Sequence, residues 1–149
     1  MLDGSRKQAI LNAIAPVPIC RALAFNILEL DEGLCRMTVP FDERLVGIHG
    51  VVHGGILTTI ADSIACFAIM THTGPHRPMT TTDLNVRFLA PCRGEVTAVA
   101  RVLKIGRTLC PVTVDLLDAA GVLCAVAQVT YLLLDRPPTG VPGRPEKGG

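Results

Sequence analysis

The sequence predicts an α+β fold in which a curved antiparallel β-sheet wraps around one long α-helix, with a short helix ahead of it. Three observations lead there. Gly55 to Thr71 is apolar on every helical face, Met79 to Leu134 alternates in strand-like runs broken by turn residues, and a hairpin signal precedes both.

From the N-terminus, Ser5-Arg-Lys-Gln8 has capping-box spacing, and Ile10, Leu11 and Ile14 share one helical face. Pro16 and Pro18 then end a short amphipathic helix. Ala22 to Leu30 and Leu34 to Val39 read as two strands around the turn Asp31-Glu32-Gly33, and Arg44 to Gly50 as a glycine-containing loop. Within Gly55 to Thr71, residues such as Ile56, Leu57, Ile60, Ile64, Phe67 and Ile69 leave no polar face, so the helix has to be enclosed. Thr73-Gly74-Pro75 stops it. Met79 to Leu89 sets Leu84, Val86 and Phe88 against Asp83, Asn85 and Arg87. Glu95 to Lys104, Thr108 to Leu117 and Val122 to Leu134 follow as an antiparallel meander, turning at Ile105-Gly106 and at Asp118 to Gly121. One domain is expected over residues 1–135, with a disordered Pro/Gly-rich tail over 136–149.

Composition removes several function classes. With 49% apolar residues and 18% charged, most of the 149-residue chain is not disordered. A net charge of +1, four Phe, one Tyr and no Trp argue against nucleic acid as a partner. The apolar stretch carries Asp62 near its middle and falls short of the ~20 residues of a membrane span. The N-terminus does not read as a secretory signal, so the expected location is cytoplasmic. The six cysteines include no Cys-x-x-Cys pair and read as buried free thiols of a reducing compartment. High apolarity with so little charge also points to a surface buried against copies of the same chain.

Between Leu45 and His76, Asp62 is the only formally charged residue, histidines aside. Burying a lone carboxylate costs several kcal/mol unless it is bonded or protonated, so it needs a reason to be there. One reading bonds it to Ser63, Thr58 or Thr59, or opens it to water. The other makes it a general base or nucleophile. The second element is His53-Gly54-Gly55 at the helix start, where N–H groups without intrahelical partners polarise a carbonyl oxygen and glycines admit a ligand to the backbone. Gly55 and Asp62 are seven residues apart, roughly 10 Å along a helix. A base works within about 3 Å of its proton, so the two groups act together only across a pair of antiparallel helices, one from each chain of a dimer.

His53-Gly-Gly-Ile-Leu-Thr-Thr-Ile-Ala-Asp62, then Thr82-Asp-Leu-Asn-Val-Arg-Phe-Leu-Ala-Pro91 and Gly106-Arg-Thr108, resemble the hotdog-fold acyl-CoA thioesterases of the PaaI type, over about residues 23–134. The resemblance implies a sheet wrapped around the long helix, and homodimers that join their sheets and assemble further to homotetramers. It also assigns roles. The Gly55 N–H polarises the thioester carbonyl, with His53 near the sulfur. Asp62 of the facing subunit activates water or attacks directly, and Thr81 orients that water. His49 and Gly54 fall on the substrate side. No metal or other cofactor is implied, since CoA arrives as part of the substrate. One departure is Gly47, where many relatives carry Asn; His49 is the candidate to compensate.

Arg93 and Arg107, beside Gly94 and Gly106, are the candidate contacts for the phosphates of CoA, although each alone also reads as solvated surface charge. The pairs His49/His53 and His72/His76 have zinc-like spacing. Gly50 interrupts the first, Gly74 and Pro75 the second, and neither has the acidic residue of a His-Glu-x-x-His motif. The function expected is hydrolysis of an aryl- or medium-chain acyl-CoA. An enoyl-thioester hydratase or dehydratase, and a non-catalytic acyl-CoA-binding protein, are the alternatives.

Overall fold

The computed structural model describes residues 1–137, so the tail expected over 136–149 lies almost wholly outside the described residues. The first helix, α1 (Gly4–Ile14), is capped by Asp3, whose carboxylate accepts the Arg6 N–H at 3.3 Å. The expected Ser5–Gln8 capping box is therefore displaced by the acid two residues upstream, which satisfies the orphan N–H first. Ile10 and Ile14 turn inward as their spacing requires. Pro18, expected with Pro16 to end the first helix, instead opens a second short helix, α2 (Pro18–Ala22), where its fixed φ and missing N–H are harmless. Strand β1 (Asn26–Asp31) consequently starts at Asn26 rather than Ala22. It turns through Glu32-Gly33 into β2 (Leu34–Val39), its antiparallel partner.

The loop after β2 sets the direction in which the long helix begins. A single 3-10 turn, Glu43–Leu45, is capped by Asp42, and Val46 bridges Val52. The His53 N–H then donates to the Leu45 carbonyl at 2.9 Å, and Val52 N–H to the Cys92 carbonyl at 3.0 Å. Helix α3 (Gly54–Thr73) starts from this clasp and stops at Gly74, whose φ of +79° takes the chain out of the helix. Its 20 residues and mean hydropathy of 1.5 meet the length and composition of a membrane span, which corrects the expectation that the segment falls short. Half of that apolar stretch is instead buried inside the fold.

What covers it is one six-stranded antiparallel sheet in the order β1-β2-β4-β5-β6-β3. Strands β4 (Val96–Val102), β5 (Leu109–Leu117) and β6 (Leu123–Leu133) form the expected meander, and β3 (Met79–Phe88) crosses over to pair with β6 at the far edge. Ile60, Ile64 and Ile69 of α3 are fully buried with Val112, Val114 and Leu116 of β5 in one core. All six cysteines are free thiols; only Cys66 is less than fully buried.

Burial pushes the Cys35, Cys66 and Cys92 thiols from the ordinary 9.0 up to about 12. The unfolded chain releases these protons near pH 9 while the folded chain holds them, so their contribution is intact below pH 9 and is lost as the pH rises towards 12. Thermal melts across that range should show Tm falling steadily. Ile64→Ala, which empties a fully buried site, should lower unfolding free energy by about 2–5 kcal/mol in denaturant titrations.

Candidate active site

His53 is the N-cap of α3, and its imidazole Nδ1 accepts the Gly55 N–H at 2.9 Å. The amide expected to stand open to a carbonyl is thus held by the side chain two residues earlier, because a helix start must satisfy its donors locally. The neutral ring that accepts at Nδ1 carries its proton on Nε2. The Gly54 N–H has no partner among the described residues.

Both glycines are sites of close approach. A Cβ on Gly55 would stand 3.0 Å from His53 Nδ1, and one on Gly54 would stand 3.2 Å from the ring of Phe88. A Cβ on Gly47 would stand 3.5 Å from His53 Cδ2, so this position faces the imidazole.

Gly54 lines an open cavity of about 580 Å³ together with His49 and Arg93, over walls supplied by Val52, Leu57, Phe88 and Leu89. This is the size and mixture of a small-molecule site, mostly apolar with a few polar groups. Three residues expected on the substrate side therefore meet in one place. Arg107 is elsewhere. It borders a separate cavity of about 360 Å³ with Thr73, Arg77 and Leu133, at the opposite end of α3.

Asp62 is half-buried, and its partners are not the three hydroxyls named from sequence. Thr58, Thr59 and Ser63 each donate to a carbonyl four residues back, at 2.9, 2.9 and 2.8 Å. The carboxylate is held from the sheet instead. Thr81 Oγ1 on β3 donates to Oδ1 at 2.7 Å, and the Tyr131 hydroxyl on β6 lies 3.0 Å from the same oxygen. Thr81 and Asp62 are thus brought together within one chain, and Tyr131 joins them. Tyr131 escaped the sequence reading; the signal was a single tyrosine at a core-facing strand position, where a phenol needs a partner.

Tyr131 is held above the ordinary tyrosine pKa, chiefly by burial and then by the neighbouring Cys66 and Asp62, so it remains a neutral donor. Cys66 is pushed up to about 12 by burial, then by the Asp62 charge, which keeps it a thiol rather than a nucleophile. Among the described residues, no group of three His, Cys, Asp or Glu comes together to hold a metal ion.

A family model described as the thioesterase superfamily matches residues 49–125, and the chain belongs to that family. Acyl-coenzyme A thioesterase 13 of Mus musculus is 34% identical over 85 residues, which are 56% of this chain and 59% of that one. A thioesterase family protein from Silicibacter pomeroyi, 27% identical, superposes with a TM-score of 0.81 over 87% of this chain and 98% of its own. The E. coli PaaI protein, from the phenylacetic acid degradation operon, is alike in fold, with a TM-score of 0.82 over 92% of this chain and 99% of that one at 19% identity. The fold is the hotdog fold of these thioesterases, and the activity class is thioester hydrolysis.

Gly55→Ala should displace the His53 ring that its new methyl would meet at 3.0 Å. Thioester hydrolysis should then fall on the order of 10²-fold from misplacement alone, with the Tm nearly unchanged. Steady-state kinetics beside a melt separates the two effects.

Proposed function

We propose that the chain hydrolyses an aryl- or medium-chain acyl-CoA thioester to the carboxylic acid and free CoA, at two equivalent sites shared between the subunits of a dimer. The observation that carries this reading is an Asp62 carboxylate held on one oxygen by sheet hydroxyls, seven residues along α3 from a glycine helix start. That spacing is roughly 10 Å along the helix, too far for one chain to bring base and carbonyl together. Strand β3 supports the pairing: it is an edge strand of ten residues with one side unpaired among the described residues, the kind of edge that another strand completes. Two such edges joined antiparallel carry the two α3 helices past each other in opposite directions.

In the proposed reaction the thioester carbonyl docks on the first turn of α3 beside the free Gly54 N–H. As negative charge develops on its oxygen, that oxygen becomes a stronger acceptor than a neutral imidazole nitrogen, by about a factor of two in bond strength. The Gly55 N–H then turns from His53 Nδ1 to the oxyanion, an interaction gained only as the transition state forms. Asp62 of the facing chain takes the proton of a water whose oxygen attacks the carbonyl carbon, and Thr81 fixes the carboxylate that does so. Collapse of the tetrahedral intermediate breaks the C–S bond; the His53 Nε2–H hydrogen-bonds the departing thiolate, and the proton that Asp62 took from water passes to its sulfur. His49 and Arg93 border the cavity on the CoA side. Antiparallel pairing brings the Arg107 end of one chain towards the Gly54 end of the other, where its guanidinium serves the CoA phosphates.

Asp62→Asn should retain the fold and slow thiol release from acyl-CoA by about 10²-fold or more, the scale of general-base loss. A parental rate in that variant would overturn the assignment. Following enoyl absorbance in the same assay separates hydrolysis from hydration, and intact thioester with bound CoA would mark a binding protein.

A further inference from the structure

Tyr131 is the single tyrosine of the chain, and the fold sets it beneath the carboxylate. It follows Ala127 and Val129 on the core-facing side of β6 and is only 6% exposed. Its hydroxyl stands 2.8 Å from the backbone carbonyl oxygen of Asp62 and 3.0 Å from Oδ1. Both are acceptors and a phenol has one proton, so that proton is divided between them. Thr81 already donates to the same Oδ1. Among the described residues nothing bonds Oδ2, and no ion pair reaches Asp62.

A β-bulge makes this arrangement possible. Thr81 pairs with Tyr131 and Asp83 with Thr130, leaving Thr82 as the extra residue, its hydroxyl bonded to the Thr130 carbonyl at 3.1 Å. The inserted residue reverses the alternation of β3. Met79 and Thr81 face inward before it, Leu84 and Val86 after it. In an unbroken strand Thr81 would share a face with Asp83 and Asn85 on the outside. The bulge therefore puts two hydroxyls, from neighbouring strands, against one carboxylate oxygen.

We propose that Tyr131 is a positioning residue that decides which oxygen of Asp62 reacts: together with Thr81 it occupies Oδ1 and reserves Oδ2 for the proton taken from water. This rests on the thioesterase reading above. The phenol supplies something that a second threonine does not, because it has two acceptors within reach. While the carboxylate is charged, the phenol proton serves Oδ1. Once Oδ2 has been protonated, Oδ1 is a weaker acceptor, and the phenol proton turns to the Asp62 backbone carbonyl. Neither state strands a buried donor, so the base changes charge without the penalty of an unsatisfied hydroxyl. Cys66 from the same helix, kept as a thiol, also feels the carboxylate charge, and its sulfur lies 3.6 Å from that of Met79 on β3.

Tyr131→Phe keeps the ring and removes only the hydroxyl. It should lower kcat by about tenfold with KM unchanged within twofold, the scale of one hydrogen bond to a charged group. A second measurement does not depend on turnover. Growth on 3-fluorotyrosine labels this residue alone, because the chain has no other tyrosine. The ¹⁹F resonance should shift when Asp62→Asn is introduced into the labelled full-length chain. Parental kcat in Tyr131→Phe, or a fluorine signal indifferent to Asp62→Asn, would overturn the inference while leaving the thioesterase reading in place. A wild-type chain that leaves every acyl-CoA intact would overturn that reading and this inference with it.

Discussion

A carboxylate on an otherwise apolar helix has to be met by donors, and in this fold the donors come from the sheet. Thr81 and Tyr131 reach Asp62 from β3 and β6, two neighbouring strands, so α3 is fixed against that edge in rotation and in register at once. A slipped helix would leave Asp62 half-buried with nothing to bond it, at a penalty of several kcal/mol, and an unbulged β3 would take Thr81 away and leave Tyr131 alone to hold it. The rest of the hotdog arrangement is compatible with that demand. The core-facing residues of β4, β5 and β6 enclose the helix, and among the described residues the edge strand next to the carboxylate is unpaired on its outer side.

The helix start is governed by a different economy of donors. His53 caps α3 with its own side chain and in doing so occupies the Gly55 N–H. A cap that holds the amide only as firmly as a neutral nitrogen can is a good arrangement for a site whose ligand becomes anionic during the reaction. On the proposed reading the resting bond is weak enough to yield, and it keeps the imidazole Nε2–H as a hydrogen-bond donor. On the proposed reading, the two ends of the chemistry are separated by nearly two helical turns on purpose, because the second chain supplies the missing end.

Much of this could be read from residues alone, because the relevant patterns are local. An apolar stretch without a polar face announced the enclosed helix, and turn residues at Gly106 and at Asp118–Gly121 marked the meander. What escaped were features in which a tertiary contact decides between local options. Asp3 takes the cap that Ser5 could have provided, and Pro18 opens a helix instead of ending one. The bulge at Thr82 is invisible in a strand whose outer half alternates cleanly, yet it reverses the face on which Thr81 lies. Asp62, His53 and the two glycines stood out by residue type and spacing, and Thr81 by the family resemblance. Tyr131 did not, because its role depends on a strand register fifty residues downstream of Thr81, a distance no local pattern spans. Arg107 was grouped with Arg93 by its glycine neighbour, but the topology sends them to opposite ends of α3.

Sharing of the site between two chains is the claim on which the rest of the chemical account turns, and complementation measures it most directly. Asp62→Asn and Gly55→Ala chains, each inactive as a homodimer, are unfolded together, refolded as a mixture and assayed for thiol release from acyl-CoA. Half of the dimers formed at random are mixed, and one of their two sites has both groups intact, so activity should return to about a quarter of the parental level. If base and amide instead served the same chain, every site in the mixture would carry one defect and the mixture would stay as inactive as either variant alone.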